Sequence, residues 1–281
     1  MSQINTNAIL DASGGTTTSI NGYTPTASNM AGRNRIINGG MVLDQRNAGA
    51  SVTPASLAYT LDRWRSLMSA TSARFSVQQN AGAVTPPTGF TNYLGVTSLS
   101  AHSLSASDQY AVQQWIEGFN IADLGWGTAN AKAITVSFWV RSSLTGTFGG
   151  SLNNGAFNRS YPFSYTISGV NTWEQKTITI AGDTSGTWTT DNSRGVSLTF
   201  GLGVGSTYSG TAGAWAGSDF RSATGATSVV GTSGATFYVT GVQLEAGSVA
   251  TPFEHRQYGQ ELALCQRYYW QRSLFNYSSN T

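Results

Sequence analysis

Residues 196–204 read VSLTFGLGV, with a large apolar side chain at every second position and serine, threonine or glycine between them. In a β-strand successive side chains point to opposite faces, so residues of one parity share a face. The large residues therefore predict one face buried in a core, and the small residues mark the opposite face.

The same alternation recurs along the chain, most clearly at 134–140 (ITVSFWV) and 161–167 (YPFSYTI). Shorter copies occur at 75–77, 110–116, 178–180 and 237–244. In the last of these the parity shifts across Gly241, which predicts a β-bulge. Glycine-rich loops separate the segments, and no helical pattern intervenes before the C-terminal stretch. We therefore predict an all-β fold, an antiparallel β-sandwich of the jelly-roll type.

A different period appears after Pro252. Tyr258, Leu262, Cys265 and Tyr269 are spaced by four, three and four residues, which is typical of one helical face. We expect a short helix near residues 257–270, with Cys265 as a buried and unreactive thiol.

The N-terminal segment contains few large apolar side chains, and Gly14, Gly15, Gly22 and Pro25 interrupt any regular element. It is predicted to be an extended arm. Such an arm is a disordered tail, a segment draped on its own domain, or an anchor that orders by docking into a partner. The predicted organisation is an anchoring arm at 1–35, a jelly-roll domain at 36–256, and a helix and tail at 257–281.

Charge and cysteine content argue against several protein classes. Only 10% of the 281 residues are charged, the formal net charge is +2, and no lysine or arginine run could neutralise a string of phosphates. Nucleic-acid binding is therefore not expected. A single cysteine cannot form an intrachain disulfide. We see no secretion signal and no stretch of roughly 20 apolar residues, so membrane insertion is not expected.

No catalytic constellation is recognisable, and we predict that the chain is not an enzyme. His102, in a serine-rich loop, is expected to be solvated, and His255 is expected to cap the helix or lie at an interface. The 13 acidic residues show no glycosidase motif. No cofactor is predicted. A structural Ca²⁺ held by loop carbonyls would leave almost no sequence trace, so the metal content is unknown.

Aromatic residues are the remaining chemical signal, since a flat ring can stack on the apolar face of a sugar. Trp126, Trp188 and Trp215 lie in Gly/Thr/Ser-rich segments and are the candidates for an exposed glycan-binding platform. A core edge or a subunit interface is the alternative for these three. Trp139 and Trp173 lie within strand-like segments and are expected to be structural.

Four arginines, Arg33, Arg35, Arg46 and Arg63, gather near the start of the predicted sandwich. Guanidinium groups bind facing carboxylates in a planar, two-point geometry. We expect intrachain or intersubunit salt bridges here, because nothing nearby in the sequence suggests an anionic ligand.

Six sequence blocks carry a family resemblance. They are GRNRIINGGMVLDQR (32–46), YTLDRWR (59–65), ITVSFWVRSSLTGT (134–147), TWEQKTITIAGDTSGTW (172–188), FYVTGVQLEAGSVATPFEHR (237–256) and ELALCQRYYW (261–270). In this order they resemble bacteriophage and prophage tail-fibre or virion structural proteins that carry a carbohydrate-binding-module-like jelly roll. The blocks cover most of the chain from residue 32 onward.

The resemblance implies a subunit of a phage tail fibre or tail appendage, made in the host cytoplasm and located on the virion. It implies a homotrimer whose N-terminal arm binds another virion protein, either a tail adaptor or nozzle or the capsid, and a contribution to adhesion to the host surface. Two alternatives stay open: a capsid decoration or head-fibre protein, and a module that binds, or less readily cleaves, a host surface glycan.

Overall fold

The alternating segments form the strands of two antiparallel sheets. The computed structural model describes residues 32–69 and 74–271, so residues 1–31 of the predicted arm and 272–281 of the predicted tail lie outside the described residues. Sheet A has the order β1 (Trp64–Met68), β4 (Gln109–Glu117), β9 (Arg194–Val204), β6 (Gly146–Asn154), β7 (Ser160–Ile167). Sheet B has the order β2 (Phe75–Gln79), β3 (Leu94–Ser98), β12 (Thr236–Ala246), β5 (Ile134–Ser142), β8 (Glu174–Ile180).

Smaller elements connect these strands. Two-residue strands β10 (Ser209–Gly210) and β11 (Ser222–Ala223) form a parallel pair. Short 3₁₀ turns lie at Ala81–Ala83, Gly118–Asn120, Ala122–Leu124 and Ser206–Tyr208. The α-helix α1 spans Tyr258–Gln266. None of the helices in the described part of the chain is long and apolar enough to cross a bilayer.

The core lies between the two sheets and is built from the apolar parity of each strand. Phe200 of β9 is fully buried and contacts Phe138 of β5 (ring centroids 5.0 Å apart) and Phe237 of β12 (6.2 Å). These contacts join one sheet to the other. The antiparallel β-sandwich predicted from the alternation is therefore confirmed.

The predicted bulge is also present. The pairing of β12 with β5 changes register between Thr240 and Gln243, and Gly241 lies between them with a φ of +60°. A positive φ is costly for residues with a Cβ atom, so glycine suits this position. The bulge changes which β12 residues face the core and, as shown below, makes room for a loop on the outer face of sheet B.

Helix α1 is shorter than predicted, and its buried face differs from the predicted stripe. Tyr258 is 63% exposed, whereas Glu261 and Cys265 are buried. Glu261 can be buried because it accepts a hydrogen bond from the Asn38 backbone N–H and pairs with Arg256 at 3.3 Å. The burial expected for Cys265 is confirmed.

Burial raises the pKa of the Cys265 thiol, so the reactive thiolate is scarce in the folded protein. We expect a soluble aromatic disulfide reagent to label folded protein at least about tenfold more slowly than urea-unfolded protein. Because Cys265 is the only cysteine, the unfolded chain provides the one-equivalent control. Fast labelling of the folded protein would mean that helix α1 does not protect this thiol.

Residues 32–35, on the arm side of the predicted boundary, are bound to the sandwich. The Glu254 carboxylate accepts hydrogen bonds from the backbone N–H groups of Gly32 (2.7 Å) and Asn34 (2.8 Å). The buried Asn34 side chain donates to the Val242 carbonyl oxygen (3.0 Å) and accepts from the Leu244 N–H (3.1 Å). The start of the described chain is thus held beside the segment that leads into α1.

The four N-terminal arginines use three kinds of contact. Arg35 forms the expected kind of salt bridge, with Asp123 at 2.7 Å. Arg46 and Arg63 instead stack over the rings of Tyr269 (3.5 Å to the centroid) and Tyr268 (3.4 Å). This corrects the salt-bridge expectation for these two residues, because the chain that follows α1 offers them aromatic faces and no carboxylate. Arg33 also forms no salt bridge with the described residues and instead donates to the Pro252 carbonyl oxygen at 3.3 Å.

His102 is not simply solvated, which corrects a second expectation. Its Nε2 lies 2.9 Å from Asp108 Oδ2, and its ring packs edge-on against Tyr110 at 5.3 Å. Burial acts to raise the pKa of Asp108, but hydrogen bonds from the Ser105 N–H and from His102 outweigh it and lower the pKa overall. The residue therefore belongs to a small polar network that ties its loop to β4.

Candidate functional site

The three predicted tryptophans come together at one edge of the core. The ring centroids of Trp126 and Trp188 lie 4.6 Å apart, and Trp215 lies 5.4 Å from each of them, all edge to face. Trp126 and Trp188 are only 6% and 8% exposed. The expectation of an exposed platform is therefore wrong for these two, because their rings pack on one another and on the core.

The indole N–H groups of this cluster are also occupied. They donate to the backbone carbonyl oxygens of Lys132 (2.8 Å), Ser185 (3.2 Å) and Ala181 (2.8 Å), in the order Trp126, Trp188 and Trp215. Trp215 is half-buried beside Tyr161, at 5.2 Å. A glycan contact by Trp215 stays a prediction, and the cluster as a whole packs as part of the core.

An open cleft lies elsewhere, on the outer face of sheet B. Its volume is about 450 Å³. Six of the side chains that line it are Phe90, Trp139, Gln175, Thr251, Phe253 and His255. We name it the Trp139 cleft. Trp139 of β5 and Gln175 of β8 are cross-strand partners, and both face outward because Phe138 and Val140 face the core.

The bulge at Gly241 positions Phe90 in this cleft. A Cβ atom on Gly241 would lie 2.6 Å from Phe90 Cζ and 3.2 Å from Trp139 Cδ1. Only a glycine leaves this space, so the ring of Phe90 can lie directly on the sheet beside Trp139.

A second aromatic cluster holds the loop that carries Phe90. The buried ring of Tyr93 packs against Tyr238 of β12 at 5.0 Å and against Trp173 at 5.4 Å. Trp173 Nε1 donates to the Thr85 carbonyl oxygen at 2.9 Å. Burial raises the pKa of Tyr93, whose hydroxyl accepts from the Val84 N–H at 2.9 Å. Trp173 therefore has the structural role expected for it, because it supports this loop.

The opposite wall of the cleft comes from the segment after β12. Phe253 meets Phe90 at 5.1 Å and His255 at 4.9 Å, both nearly edge to face. A smaller cavity of about 190 Å³ shares these rings and reaches Glu254 and Glu261. Both carboxylates already accept backbone hydrogen bonds from residues 32–38, so they act in structure.

The cleft can bind but offers no hydrolytic pair. Aromatic rings, one amide and threonine hydroxyls can stack on a sugar and bind its hydroxyl groups. Within the described residues, no aspartate or glutamate lines the Trp139 cleft. Glycoside hydrolysis uses two carboxyl groups that flank the scissile bond. Elsewhere in residues 32–69 and 74–271, no three His, Cys, Asp or Glu side chains converge to hold a metal ion.

Trp139 was missed as a candidate, although the sequence carried a signal. It has the parity opposite to Ile134, Val136, Phe138 and Val140, which places a large aromatic ring on the outer face of its strand. A large apolar residue on the solvent-facing parity is a better indication of a binding ring than location in a glycine-rich loop, because a strand fixes its direction.

No family model and no curated protein matches the sequence. Similar solved structures include an enzymatically active domain of a bacteriophage CBA120 tailspike protein, at 10% identity and a TM-score of 0.40, covering 76% of this chain. This chain spans about a fifth (21%) of that tailspike chain.

Two further solved structures are matched over their full length. One is TmCBM61 in complex with β-1,4-galactotriose, at 12% identity and a TM-score of 0.37, covering 76% of this chain and 99% of that one. The other is a sugar-binding protein, so described, from Bacteroides thetaiotaomicron, at 11% identity and a TM-score of 0.43, covering 76% and 100%.

Proposed function

We propose that this chain is a non-catalytic, glycan-binding structural subunit of a phage tail fibre or tail appendage. The observation that carries the binding function is the Trp139 cleft, an aromatic-walled concavity of about 450 Å³ built on the rigid outer face of a sheet. Its size lies within the roughly 300–1,000 Å³ usual for ligand sites.

The chemistry of the cleft suits an uncharged sugar. Trp139 and Phe90 present apolar ring surface, while Gln175 and Thr251 supply an amide and a hydroxyl. The carboxylates of the adjoining cavity are already hydrogen-bonded to the protein backbone. A binding role therefore fits the side chains better than a cleaving one.

The particle role is supported by the six sequence blocks and by how the outermost ones pack. The first block meets the last two through Glu254 and Gly32, Glu261 and Asn38, and Arg46 and Tyr269. Residues 32–46 are thus bound to the sandwich. Force on an anchored N-terminal arm would therefore be transmitted to the domain. Trimerisation and attachment through residues 1–31 are parts of this proposal.

Replacing Trp139 by alanine is expected to weaken glycan binding by at least about tenfold, because stacking and buried ring surface are lost. Wild-type protein is screened on an array of bacterial surface glycans, and the best neutral binder is then titrated calorimetrically. Trp270→Ala is the matched control, since it removes an exposed tryptophan outside the cleft. Equal affinity of both variants, or no binding by the wild type, would refute the assignment of this cleft.

Location and assembly need separate measurements. Gold-labelled antibodies against the protein are expected to decorate the phage tail, and light scattering of purified protein is expected to give the mass of a trimer. Label spread over the capsid would favour the head-decoration alternative. Release of reducing ends from a bound glycan would overturn the non-catalytic part of the proposal.

A further inference from the structure

A second polar cluster lies on the other side of the sandwich, on the outer face of sheet A, where most of its side chains are buried and Trp115 is partly exposed. Neighbouring strands place Arg65 of β1 opposite Gln113 of β4, and Gln113 opposite Thr199 of β9. Trp115 follows on the same face, opposite Ser197. The face thus combines small hydroxyl residues with one large ring and one guanidinium group.

Three arginines and two rings form an unbroken row across this face. The guanidinium carbon of Arg65 lies 3.7 Å from the ring centroid of Trp115, and that of Arg194 lies 4.3 Å from the same ring. Arg194 also lies 3.7 Å from the ring of Phe157, and Arg221 lies 3.8 Å from it. We name these five residues the arginine–aromatic row.

The positive charge of the row is poorly balanced. Asp219 pairs with Arg221 at 2.7 Å. In the part of the chain that the structure describes, neither Arg65 nor Arg194 forms an ion pair. Burial, together with repulsion from Arg221 and Arg65, lowers the pKa of Arg194 to about 10. The Arg194 guanidinium therefore stays charged at neutral pH, although the neighbouring arginines repel it.

Several polar atoms of this face lack a partner. Trp115 Nε1, Thr199 Oγ1 and Arg221 Nε are buried and form no hydrogen bond within the described residues. Thr199 is fully buried. Buried donors are usually satisfied in folded proteins, so these atoms keep hydrogen-bonding capacity that no described residue uses.

The backbone conformation of Phe157 positions its ring within the row. Phe157 has a φ of +56°, in the left-handed region that favours glycine. This conformation holds its ring between Arg194 and Arg221, where it keeps the two guanidinium groups apart.

We propose that the arginine–aromatic row binds an anionic sugar, through a carboxylate or phosphate group placed against Arg194 and Arg221. An acid group at the partly exposed Arg194 would balance the charge and accept hydrogen bonds from its guanidinium group. Three arginines on one short face fit one or two acid groups, not a string of phosphates. The choice of a glycan as the carrier of this group rests on the proposed function, whereas the anion specificity rests on the row alone.

The test compares ligands that differ only in charge. Oligogalacturonate and its carboxyl-reduced counterpart are titrated into the full-length protein, with a poly(glycerol phosphate) oligomer and inorganic phosphate as further arms. We expect at least one of the two acidic oligomers to bind at least about tenfold tighter than the neutral oligosaccharide. Raising the salt concentration is expected to weaken this binding.

Two variants distinguish a specific anion site from nonspecific electrostatic attraction between the protein and the ligand. Arg194→Gln is expected to abolish the preference for the acidic ligand, whereas Arg33→Gln, which changes the net charge equally, is expected to leave it intact. Thermal unfolding shows whether each variant folds. If Arg194→Gln does not fold, the comparison of acidic and neutral ligands on the wild-type protein still tests the proposal. Equal binding of acidic and neutral ligands, or equal effects of the two variants, would overturn the proposal.

Two other outcomes are informative. If inorganic phosphate binds while neither acidic oligomer does, the row is a simple anion site and the glycan proposal is wrong. If the wild type binds the acidic oligomer but no neutral glycan, the proposal for the Trp139 cleft on sheet B fails while the row on sheet A stands. Failure of the Trp139 cleft and failure of the arginine–aromatic row are therefore distinguishable.

Discussion

Replacing Phe200 by alanine is expected to lower the free energy of unfolding by about 3–5 kcal/mol. Phe200 is fully buried on β9 and contacts rings from both sheets, among them Phe138 at 5.0 Å and Phe163 at 6.5 Å. Its removal leaves a cavity at the centre of the sandwich that rigid neighbouring strands cannot fill. Urea unfolding followed by tryptophan fluorescence measures the loss.

Phe119→Ala is the matched control, because it makes the same chemical change at a site that is 60% exposed. We expect this variant to stay within about 0.5 kcal/mol of the wild type. If both phenylalanine variants unfold at the same urea concentration, the two sheets do not depend on the packing around Phe200.

Replacing Glu261 by alanine is expected to cost about 3–5 kcal/mol as well, although the residue is charged. Its side chain is 9% exposed and its partner Arg256 is 8% exposed. The substitution leaves the Asn38 N–H without its acceptor and removes one of the two carboxylates that pair with Arg256, the other being Glu254 at 3.8 Å. A buried N–H without an acceptor and a buried guanidinium that has lost its nearer carboxylate are both strongly destabilising.

Glu117→Ala provides the comparison, since Glu117 pairs with Arg267, which is 55% exposed. A partly solvated pair of this kind is worth about 0–1 kcal/mol. Urea unfolding gives the two losses, and hydrogen exchange at the Asn38 amide shows whether the base of the N-terminal segment opens. Similar losses for both variants would contradict the role assigned to Glu261.

Strand positions and the buried parity of each strand could be predicted because they depend on a local period. VSLTFGLGV forms β9 with its large residues inside, and the bulge at Gly241 occurs where the parity shifts. The helix and the burial of Cys265 were predicted because the spacing is equally local, but the burial of Glu261 was not. Glu261 can be buried because its carboxylate accepts a hydrogen bond from the backbone N–H of Asn38, which is 223 residues away in sequence. No local pattern indicates such a distant partner.

Most of the candidate-site residues could not be predicted from the sequence, because they too depend on contacts between distant residues. Trp126, Trp188 and Trp215 were chosen for their glycine-rich surroundings, yet the fold packs them into one cluster. The arginine–aromatic row gathers side chains from residues 65 to 221. Nothing in the spacing of these residues indicates that they meet.

By itself, the sequence determined the all-β class, the inward face of each strand, the bulge and the C-terminal helix, since each follows from the direction of successive side chains along one segment. Tertiary structure alone decided which strands are neighbours in sheets A and B, and hence which outward-facing residues share a surface. The Trp139 cleft and the arginine–aromatic row exist because strands far apart in sequence pair side by side, and pairing order leaves no mark in a local period.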